Sequence, residues 1–258
     1  MKRDGRPVGV ICAMAEEMAL LQTHLVSATE TAVAGLQFRS GLLFDVPAVL
    51  TPAGIGKVNA ALVATVLADR FQARAILFSG VAGGLDPALG IGDVVIADPL
   101  VQHDYGAIVA GRMRPYRPGA MPIGARRAKL GFALPAGLRA IAEGAVAGLV
   151  LPQMPAAATG GAPRRPHVHF GAVLTGDQFV ACETTRDRLY AEHAALAVEM
   201  EGAAVAQVAA SFALPWLVVR AVSDLAGKDS ARDFAAFFHA ASAGAAEVVR
   251  HLLPVLAG

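Results

Sequence analysis

Two carboxylates, Glu199 and Glu201, lie two residues apart where a short apolar run meets a helical pattern. The run at 195–198 is too short for a helix and predicts a strand, whereas the alanine-rich spacing after Glu201 is typical of a packed helix. A carboxylate that faces a core is unfavourable unless it is paired or hydrogen-bonded. Glu201 therefore either serves a ligand or lies in the first helical turn, where negative charge suits the helix dipole.

Asp224 is a third carboxylate in such a position, because it follows Ser223 and the strongly apolar strand predicted at 216–222. A carboxyl group at the end of a buried strand is partly desolvated, which raises its pKa toward neutrality. Such a group can protonate a leaving base. Ser and Asp also supply helix and turn caps, so a capping role is the alternative.

Glu16 and Glu17 lie at another predicted junction of a strand and a helix. The continuous apolar run at 8–12 is typical of a buried parallel strand, and the residues after it follow a helical pattern. In open α/β sheets, ligands bind at the carboxyl ends of the strands. The two glutamates are therefore candidates for a ligand site.

Two glycine-rich segments follow predicted strands. The segment 54–56 does not complete a dinucleotide fingerprint, since Asn59 stands at the third glycine position, and it does not form a P-loop, since Val58 follows Lys57. A tight turn explains its glycines. The segment 80–84 either lets a ligand approach the backbone or allows a strand and a helix to pack closely.

Predicted strands and helices alternate along the chain, with no repeat or linker between them. Strands are predicted at 8–12, 75–79, 92–97, 168–175 and 216–222, and antiparallel strands at 37–50 with a turn at Gly41. Helices are predicted at 13–21, 60–70, 134–151 and 231–253, a loop at 102–125, and an inserted surface loop at 152–166. The pattern predicts a single α/β domain over 1–258, with a mixed central β-sheet flanked by helices.

The composition favours a soluble globular protein. Hydrophobic residues make up 55% of the 258 residues and charged residues 17%, which supplies a core and argues against disorder. The net charge of +1 does not predict a nucleic-acid partner, and the arginines between 112 and 127 are interpreted as a solvated loop. No apolar run reaches the roughly twenty residues of a membrane span. We expect a cytoplasmic protein without membrane or nucleic-acid partners.

Neither metal nor acyl-transfer chemistry is indicated. Cys12 and Cys182 form no disulfide framework and have no metal-ligand spacing. The pair His103 and Asp104 is isolated, and the histidines at 167 and 169 have no further ligands nearby in sequence. A nucleophile elbow of the G-x-S-x-G kind is also missing. We therefore expect neither a metal nor a cofactor.

Taken together, the motifs resemble the 5′-methylthioadenosine/S-adenosylhomocysteine nucleosidases of the type I nucleoside phosphorylase superfamily. The resemblance is carried by GVICAMAEE at 9–17, GIGKV at 54–58, GVAGGL at 80–85, GIGDV at 90–94, HD at 103–104, TGDQF at 175–179, VEME at 198–201 and VRAVSD at 219–224. These segments occur in the family's order and span nearly the whole chain. The resemblance implies hydrolysis of the N-glycosidic bond of 5′-substituted adenosines, without cofactor or metal.

The resemblance also implies roles for individual residues. Glu17 would activate the attacking water, and Asp224 would protonate or hydrogen-bond N7 of adenine. The implied substrate-binding residues are Met14, Phe179, Val180, Glu199, Met200, Glu201, Arg220, Ser223 and Phe234. Met200 and Glu201 would hold the ribose with support from Glu199, and Phe179 would stack on the purine, beside the backbone of Val180. Ser223 and Arg220 would orient Asp224, and Phe234 would line the pocket.

These assignments agree with the chemistry, because breaking the bond builds positive charge on the sugar and negative charge on the base. The family's phosphorylases hold phosphate with arginines in two regions that here read Met14–Glu17 and Phe78–Val81, without arginine. Carboxylates in the first region would repel phosphate, so water is the expected nucleophile. A phosphorylase, a nucleosidase for futalosine or a bulkier adenosyl compound, and a non-catalytic nucleoside-binding protein stay open as alternatives.

The sequence departs from the family in two places, one near the nucleophile and one near the 5′ substituent. Val81 stands where many members have serine or threonine, which removes one polar contact near the nucleophile. The loop at 105–118 departs from the usual pattern; in the family this loop crosses a dimer interface and covers the 5′ substituent. The resemblance thus implies a homodimer with 103–118 near the interface, and leaves the preferred 5′ group undecided.

Overall fold

The chain forms a nine-stranded mixed β-sheet and a separate two-stranded hairpin, in a computed structural model that describes residues 5–119, 130–159, 161 and 164–258. The strands are β1 (Val8–Cys12), β2 (Leu25–Val33), β3 (Leu36–Leu43), β4 (Val46–Pro52), β5 (Ala75–Gly84), β6 (Val94–Gln102), β7 (Gly106–Val109), β8 (Arg112–Pro115), β9 (Val168–Thr175), β10 (Ala197–Glu199) and β11 (Trp216–Asp224). The helices are α1 (Ala15–Gln22), α2 (Lys57–Asp69), α3 (Ala136–Val146), α4 (Glu183–His193), α5 (Gly202–Ser211) and α6 (Ser230–Ala257), with a 3-10 turn at Ala156–Thr159.

The large sheet has the strand order β10-β9-β6-β11-β5-β1-β4-β3-β2. Strands β4, β1, β5 and β11 are parallel, whereas β2, β3 and β4 form an antiparallel meander at one edge. On the other side, β6 is antiparallel to β11 and parallel to β9, which is parallel to β10. The predicted single α/β domain with a mixed sheet flanked by helices is confirmed.

Helices cover the central strands, so these strands read as continuous apolar runs. Every residue of β1 and β11 is buried. The long helix α6 packs against β11 and β5, and α2 packs against α5 and β1. The predicted strands at 8–12 and 168–175 have the observed bounds of β1 and β9.

The structure corrects several local predictions. The turn predicted at Gly41 is wrong: Gly41 lies inside β3, and the chain turns at Phe44 and Asp45, which both have positive φ, as a two-residue hairpin turn requires. The glycine-rich segment 80–84 is not a loop, because it continues strand β5. The predicted loop at 102–125 contains the hairpin β7–β8, and its residues 120–125 lie outside the described part of the chain.

Two elements have no counterpart in the predictions. Strand β2 has no buried residue, and helix α4 buries only Leu189, so neither carries a strong apolar signal. The helix predicted at 134–151 is shorter, ending at Val146 ahead of Gly148, which has positive φ. Neither difference moves a predicted site residue away from its strand end.

The segment 152–166 has anchors as well as exposed residues; its residues 160, 162 and 163 lie outside the described part of the chain. Met154 is buried and bridges to Arg164, whose Nη2 lies 2.7 Å from Oδ2 of the fully buried Asp93. Although burial would raise the pKa of Asp93, hydrogen bonds from His169, Arg164 and the backbone hold it far below its ordinary value. Among the described residues, no helix is both long and apolar enough to cross a bilayer.

Candidate active site

One cavity of about 460 Å³ lies at the carboxyl ends of the central strands. All eleven site residues predicted from the sequence line it, together with eight others. The predicted residues are Met14, Glu17, Phe179, Val180, Glu199, Met200, Glu201, Arg220, Ser223, Asp224 and Phe234; the others are Ala13, Ile55, Val81, Ala82, Gly83, Gln178, Val198 and Ala231. Two sets of strands bring them together. Strands β1, β5 and β11 are parallel and end at one edge of the sheet, whereas β9 and β10 run in the opposite direction, and β10 pairs with both β9 and β5 beside the cavity.

Glu17 is buried in the first turn of α1, directly after β1. Its Oε2 accepts the backbone N–H of Met14 at 2.9 Å and its Oε1 accepts that of Val81 at 3.1 Å. Burial raises the pKa of Glu17, while the charge of Arg220 and the backbone N–H groups oppose the increase. Glu17 is thus a carboxyl group with a fixed orientation and a raised pKa.

Arg220 is fully buried and forms the positive centre of the cavity wall. Its Nη2 donates to Glu199 Oε2 and, at 3.3 Å, to Glu201 Oε2, and its guanidinium lies 4.1 Å from the centroid of the Phe78 ring. Burial alone would lower the pKa of Arg220, but Glu199, Glu201 and Glu17 outweigh burial and raise it.

This arrangement corrects the role expected of Arg220 as an orienting partner of Asp224. About 13 Å of extended strand separates positions four residues apart, so the guanidinium does not serve the carboxyl group at the strand end. Arg220 instead contacts Glu199, the last residue of β10, and Glu201, which comes two residues later. Strand β10 pairs with β5 and β9.

Glu199 has its carboxylate occupied by the protein. It accepts hydrogen bonds from the Thr175 hydroxyl, from Arg220, and from the backbone N–H groups of Glu201 at 3.0 Å and Gly202 at 2.7 Å. It therefore caps the start of α5 and positions Arg220. Thr175 completes this set, and the sequence indicated it only as part of the TGDQF segment.

Glu201 immediately precedes α5 and faces the cavity between two donors. Its Oε1 accepts the backbone N–H of Gly56 at 2.8 Å, and its Oε2 lies near Arg220. Burial raises the pKa of Glu201 to about 7; Arg220 opposes the increase and Glu199 adds to it. Gly56 has φ +100, a conformation that L side chains rarely adopt, which explains one of the glycines at 54–56.

Asp224 ends strand β11 at a β-bulge, where the register with β5 shifts between Val222 and Asp224. Such bulges re-aim side chains beside sites. Ser223 Oγ donates to Asp224 Oδ2 at 3.0 Å, and the Ala226 N–H donates to Oδ1 at 2.9 Å. Burial raises the pKa of Asp224. The carboxyl group is thus held in place and tends to keep its proton.

An aromatic wall closes the remaining side of the cavity. Phe179 is 53% exposed and meets Phe234 of α6 edge-to-face at 6.2 Å between ring centroids, and Phe234 contacts Phe238 at 5.2 Å. An exposed ring at the edge of a cavity can stack on a planar ligand. Ile55 and Gln178 also line the cavity, and the sequence indicated them only as members of the GIGKV and TGDQF segments, without a role.

The cavity therefore combines acid–base groups with an apolar wall that suits a flat heterocycle. Three carboxyl groups with raised pKa values line it: Glu17 of α1, Asp224 at the end of β11, and Glu201 ahead of α5. Within the described residues, no group of three or more His, Cys, Asp or Glu side chains is arranged to hold a metal ion. The arrangement can donate a proton at one point and accept one at another.

Comparison with known proteins points to one family. The family model described as phosphorylase superfamily matches residues 7–254. A 5′-methylthioadenosine/S-adenosylhomocysteine nucleosidase of Mycobacterium bovis is 50% identical over 249 residues, which cover 96% of this chain and 97% of the relative. A protein of the same name from Geobacillus thermodenitrificans is 36% identical over 252 residues, covering 96% of each chain.

Solved structures give the same picture. A 5′-methylthioadenosine/S-adenosylhomocysteine nucleosidase of Colwellia psychrerythraea in complex with adenine superposes with a TM-score of 0.82 at 31% identity, covering 99% of this chain and 98% of the other. A futalosine hydrolase mutant of Helicobacter pylori superposes with a TM-score of 0.78 at 29% identity, covering 96% and 99%.

Proposed function

Because the chain belongs to the 5′-methylthioadenosine/S-adenosylhomocysteine nucleosidases of the phosphorylase superfamily, we propose how its own residues divide the reaction between them. The chain is an N-glycosidic hydrolase that cleaves 5′-substituted adenosines to adenine and the thioribose. The observation that carries the proposal is the convergence of Glu17 and Asp224, both buried and both with raised pKa values, in one largely apolar cavity.

Asp224 is the general acid, and it acts on the adenine ring. As the bond between N9 and C1′ breaks, its electron pair moves into the purine, and a proton from Asp224 to N7 neutralises the developing charge. Burial keeps this carboxyl group protonated at higher pH than usual, and Ser223 and the Ala226 N–H fix its orientation.

Glu17 is the base for water. The water oxygen bonds to C1′ and its proton passes to Glu17, so that the sugar leaves with a hydroxyl group. Backbone donors from Met14 and Val81 and the positive charge of Arg220 favour the ionised form of Glu17, which the role requires.

Glu201 and Met200 hold the ribose. Each carboxylate oxygen of Glu201 accepts one contact from the protein and keeps lone-pair capacity for a sugar hydroxyl. The negative charges of Glu201 and Glu17 also stabilise the positive charge that develops on the sugar ring in the transition state. Phe179 and Phe234 stack beside the purine, and the Val180 backbone lies at its edge.

The experiment is incubation of the protein with 5′-methylthioadenosine, with and without phosphate, followed by identification of the products. We expect adenine and free methylthioribose at a rate independent of phosphate. A sugar 1-phosphate would contradict hydrolysis. Comparison with S-adenosylhomocysteine and futalosine determines the 5′ preference; the higher identity to the Mycobacterium relative favours the adenosyl thioethers over futalosine.

The proposal includes a cytoplasmic homodimer with the segment 103–118 near its interface. Exposed apolar side chains on α2 and β7 support a second copy as the partner, since Val58 is 80% and Ile108 67% exposed. The start of α2 lies beside the segment that leads into β7, because Lys57 Nζ lies 2.6 Å from Asp104 Oδ1. Exposed apolar patches of this kind mark interaction surfaces.

A further inference from the structure

Lys57 forms an ion cluster beside the cavity without lining it. Lys57 Nζ lies 2.6 Å from Asp104 Oδ1 and 3.6 Å from Asp177 Oδ2. The side chains of Lys57 and Asp104 are only 17% and 18% exposed, so water screens this pair incompletely. We call the three side chains the Lys57 cluster.

Backbone hydrogen bonds make the Lys57 cluster a link between chain segments. The Lys57 N–H donates to Asp177 Oδ1 at 2.9 Å, and the Asp177 N–H donates to Asp104 Oδ2 at 2.8 Å. Asp104 thus uses one oxygen for the lysine and the other for the backbone of the next segment. Burial would raise the pKa of Asp104, but Lys57 and the Asp177 N–H lower it, which keeps the carboxylate charged.

Two of the three linked segments, those of Lys57 and Asp177, lead directly into the cavity wall. Asp177 precedes Gln178, Phe179 and Val180, which all line the cavity. On the other side, Gly56, adjacent to Lys57, donates its N–H to Glu201. The Lys57 cluster therefore connects two parts of the cavity. One is the turn at Gly56, which contacts Glu201, the residue proposed to bind the ribose; the other is the segment 178–180, which is proposed to bind the purine.

The local geometry leaves little room for another arrangement. Gly56 has φ +100, and a Cβ at Gly56 would lie 3.3 Å from Asp177 Oδ1. The side chain of Asp177 is half exposed, whereas those of Lys57 and Asp104 are mostly buried. The ion pair of Lys57 and Asp104 is therefore the better-shielded part of the cluster.

From these contacts we propose that Lys57 is a positioning residue, which holds the purine-binding segment 178–180 at a set distance from Glu201 without touching the substrate. The inference rests on the proposed function for the roles of 178–180 and Glu201. In the absence of the lysine charge, Asp104 and Asp177 repel each other and the segment 178–180 loses its anchor. Misplacement of a binding segment by about 1 Å can reduce catalysis by up to about a hundredfold.

The test compares Lys57→Met with the wild-type protein in three measurements: KM and kcat for 5′-methylthioadenosine, adenine affinity by calorimetry, and Tm. We expect the KM and the adenine Kd to rise together, each by roughly tenfold, because both depend on the segment 178–180. Lys57→Arg, which keeps the charge, is expected to recover most of the affinity. Lys57→Met in an Asp104→Asn background should add little, because residues of one network act as a unit.

Arg139→Met is the matched control. Arg139 forms a comparable pair with Asp98 at 2.7 Å, between α3 and β6 and away from the cavity lining. We expect it to leave KM and adenine affinity unchanged whatever its effect on Tm. Equal values for Lys57→Met and Arg139→Met would overturn the inference, as would additive effects of Lys57→Met and Asp104→Asn.

Two further outcomes distinguish the positioning role of Lys57 from a role in a subunit interface and from a failure of the proposed function. Light scattering reports the mass of each variant, and a loss of adenine affinity that occurs only with a loss of mass would overturn the positioning role in favour of an interface role. A wild-type protein that binds adenine but does not turn over the nucleoside would contradict the proposed function, whereas normal wild-type turnover with unchanged adenine affinity in Lys57→Met would contradict this inference alone.

Discussion

At the residue scale, Asp224 and Glu17 differ in the groups that contact them, and the difference supports the acid and base roles proposed for them. Asp224 receives one hydroxyl and one backbone N–H, and no cation contacts it among the described residues. Glu17 receives two backbone N–H groups and the field of Arg220. Burial raises the pKa of both, but Glu17 also has the positive charge of Arg220 nearby, which favours ionisation; these surroundings support the proposed base role of Glu17 and acid role of Asp224.

Replacing either carboxyl group by its amide should separate catalysis from binding. We expect Glu17→Gln and Asp224→Asn each to lower kcat by about 10²- to 10⁴-fold, because the proton can no longer be accepted or donated. Adenine affinity, measured by calorimetry, should change far less. Glu16→Gln is the control, because Glu16 is next to Glu17 in sequence but its carboxylate is exposed and does not line the cavity. Wild-type rates in either cavity variant would refute the catalytic assignment.

Glu201 gives a prediction for stability against pH. Its pKa is about 7 in the folded protein, above the ordinary 4.5, so between these values the folded state binds more protons than the unfolded state. The free energy of unfolding should therefore fall as pH rises from about 4.5 to 7, by up to about 1.4 kcal/mol per pH unit. Denaturant titrations at several pH values measure this slope.

The matched variant for this measurement is Glu201→Gln, which cannot titrate. Glu17 and Asp224 also have raised pKa values and contribute with the same sign, so the slope should become shallower without vanishing. An identical slope in Glu201→Gln and the wild-type protein would show that the raised pKa is not present.

At the element scale, strand β5 makes space for the charged groups of the site. A Cβ at Gly80 would lie 2.1 Å from Arg220 Nη1 and 2.9 Å from Glu17 Oε1. Arg220 comes from the neighbouring strand β11, where it is paired with Gly80 in the register. A glycine in β5 is therefore what allows a fully buried guanidinium to lie between two strands and reach the glutamates.

Gly80→Ala should consequently damage both stability and activity. We expect the free energy of unfolding to fall by about 1–3 kcal/mol, because the buried guanidinium must shift, and kcat/KM to fall with it as Arg220 moves. Gly171→Ala is the control, since its Cβ would overlap Leu196 Cδ1 at 2.5 Å outside the cavity lining. The control should lose stability and keep kcat/KM. Equal kcat/KM in both variants would contradict the argument.

At the scale of the whole molecule, the exposed apolar residues of α2 and β7 lie next to the Lys57 cluster. Val58 follows Lys57, and Tyr105, which is 44% exposed, follows Asp104. A second copy bound at this face would therefore contact the elements that position both halves of the cavity wall. Assembly and substrate binding are expected to depend on the same surface.

Ile108→Glu tests the proposed homodimer. We expect the wild-type protein to have twice the mass of one chain by light scattering, and Ile108→Glu to shift the equilibrium toward the monomer, because a charge is then buried in an apolar contact. Ile141→Glu is the control, since Ile141 is 59% exposed on α3. A wild-type protein with the mass of one chain would exclude the dimer.

Much of the site could be predicted from the sequence, because the residue types that follow apolar strands are a local property. Glu17 and Asp224 lie at or soon after the ends of the parallel strands β1 and β11, which meet at one edge of the sheet. Glu201 follows the short strand β10, whose antiparallel pairing with β5 no local pattern indicated. The bounds of β1 and β9 followed from the same apolar runs. The sequence therefore determined the fold class and the membership of the cavity lining.

Only the tertiary structure decided which side chains meet. Arg220 contacts Glu199 and not Asp224, and Lys57 contacts Asp104 and Asp177, because β10, β9, β6, β11 and β5 lie side by side in an order unrelated to their order in the chain. The glycines at 80–84 belong to a strand and not to a loop because β11 and β10 pair with β5 as far as Gly83 and Gly84. Such pairings depend on contacts between residues far apart in sequence, which no local pattern specifies.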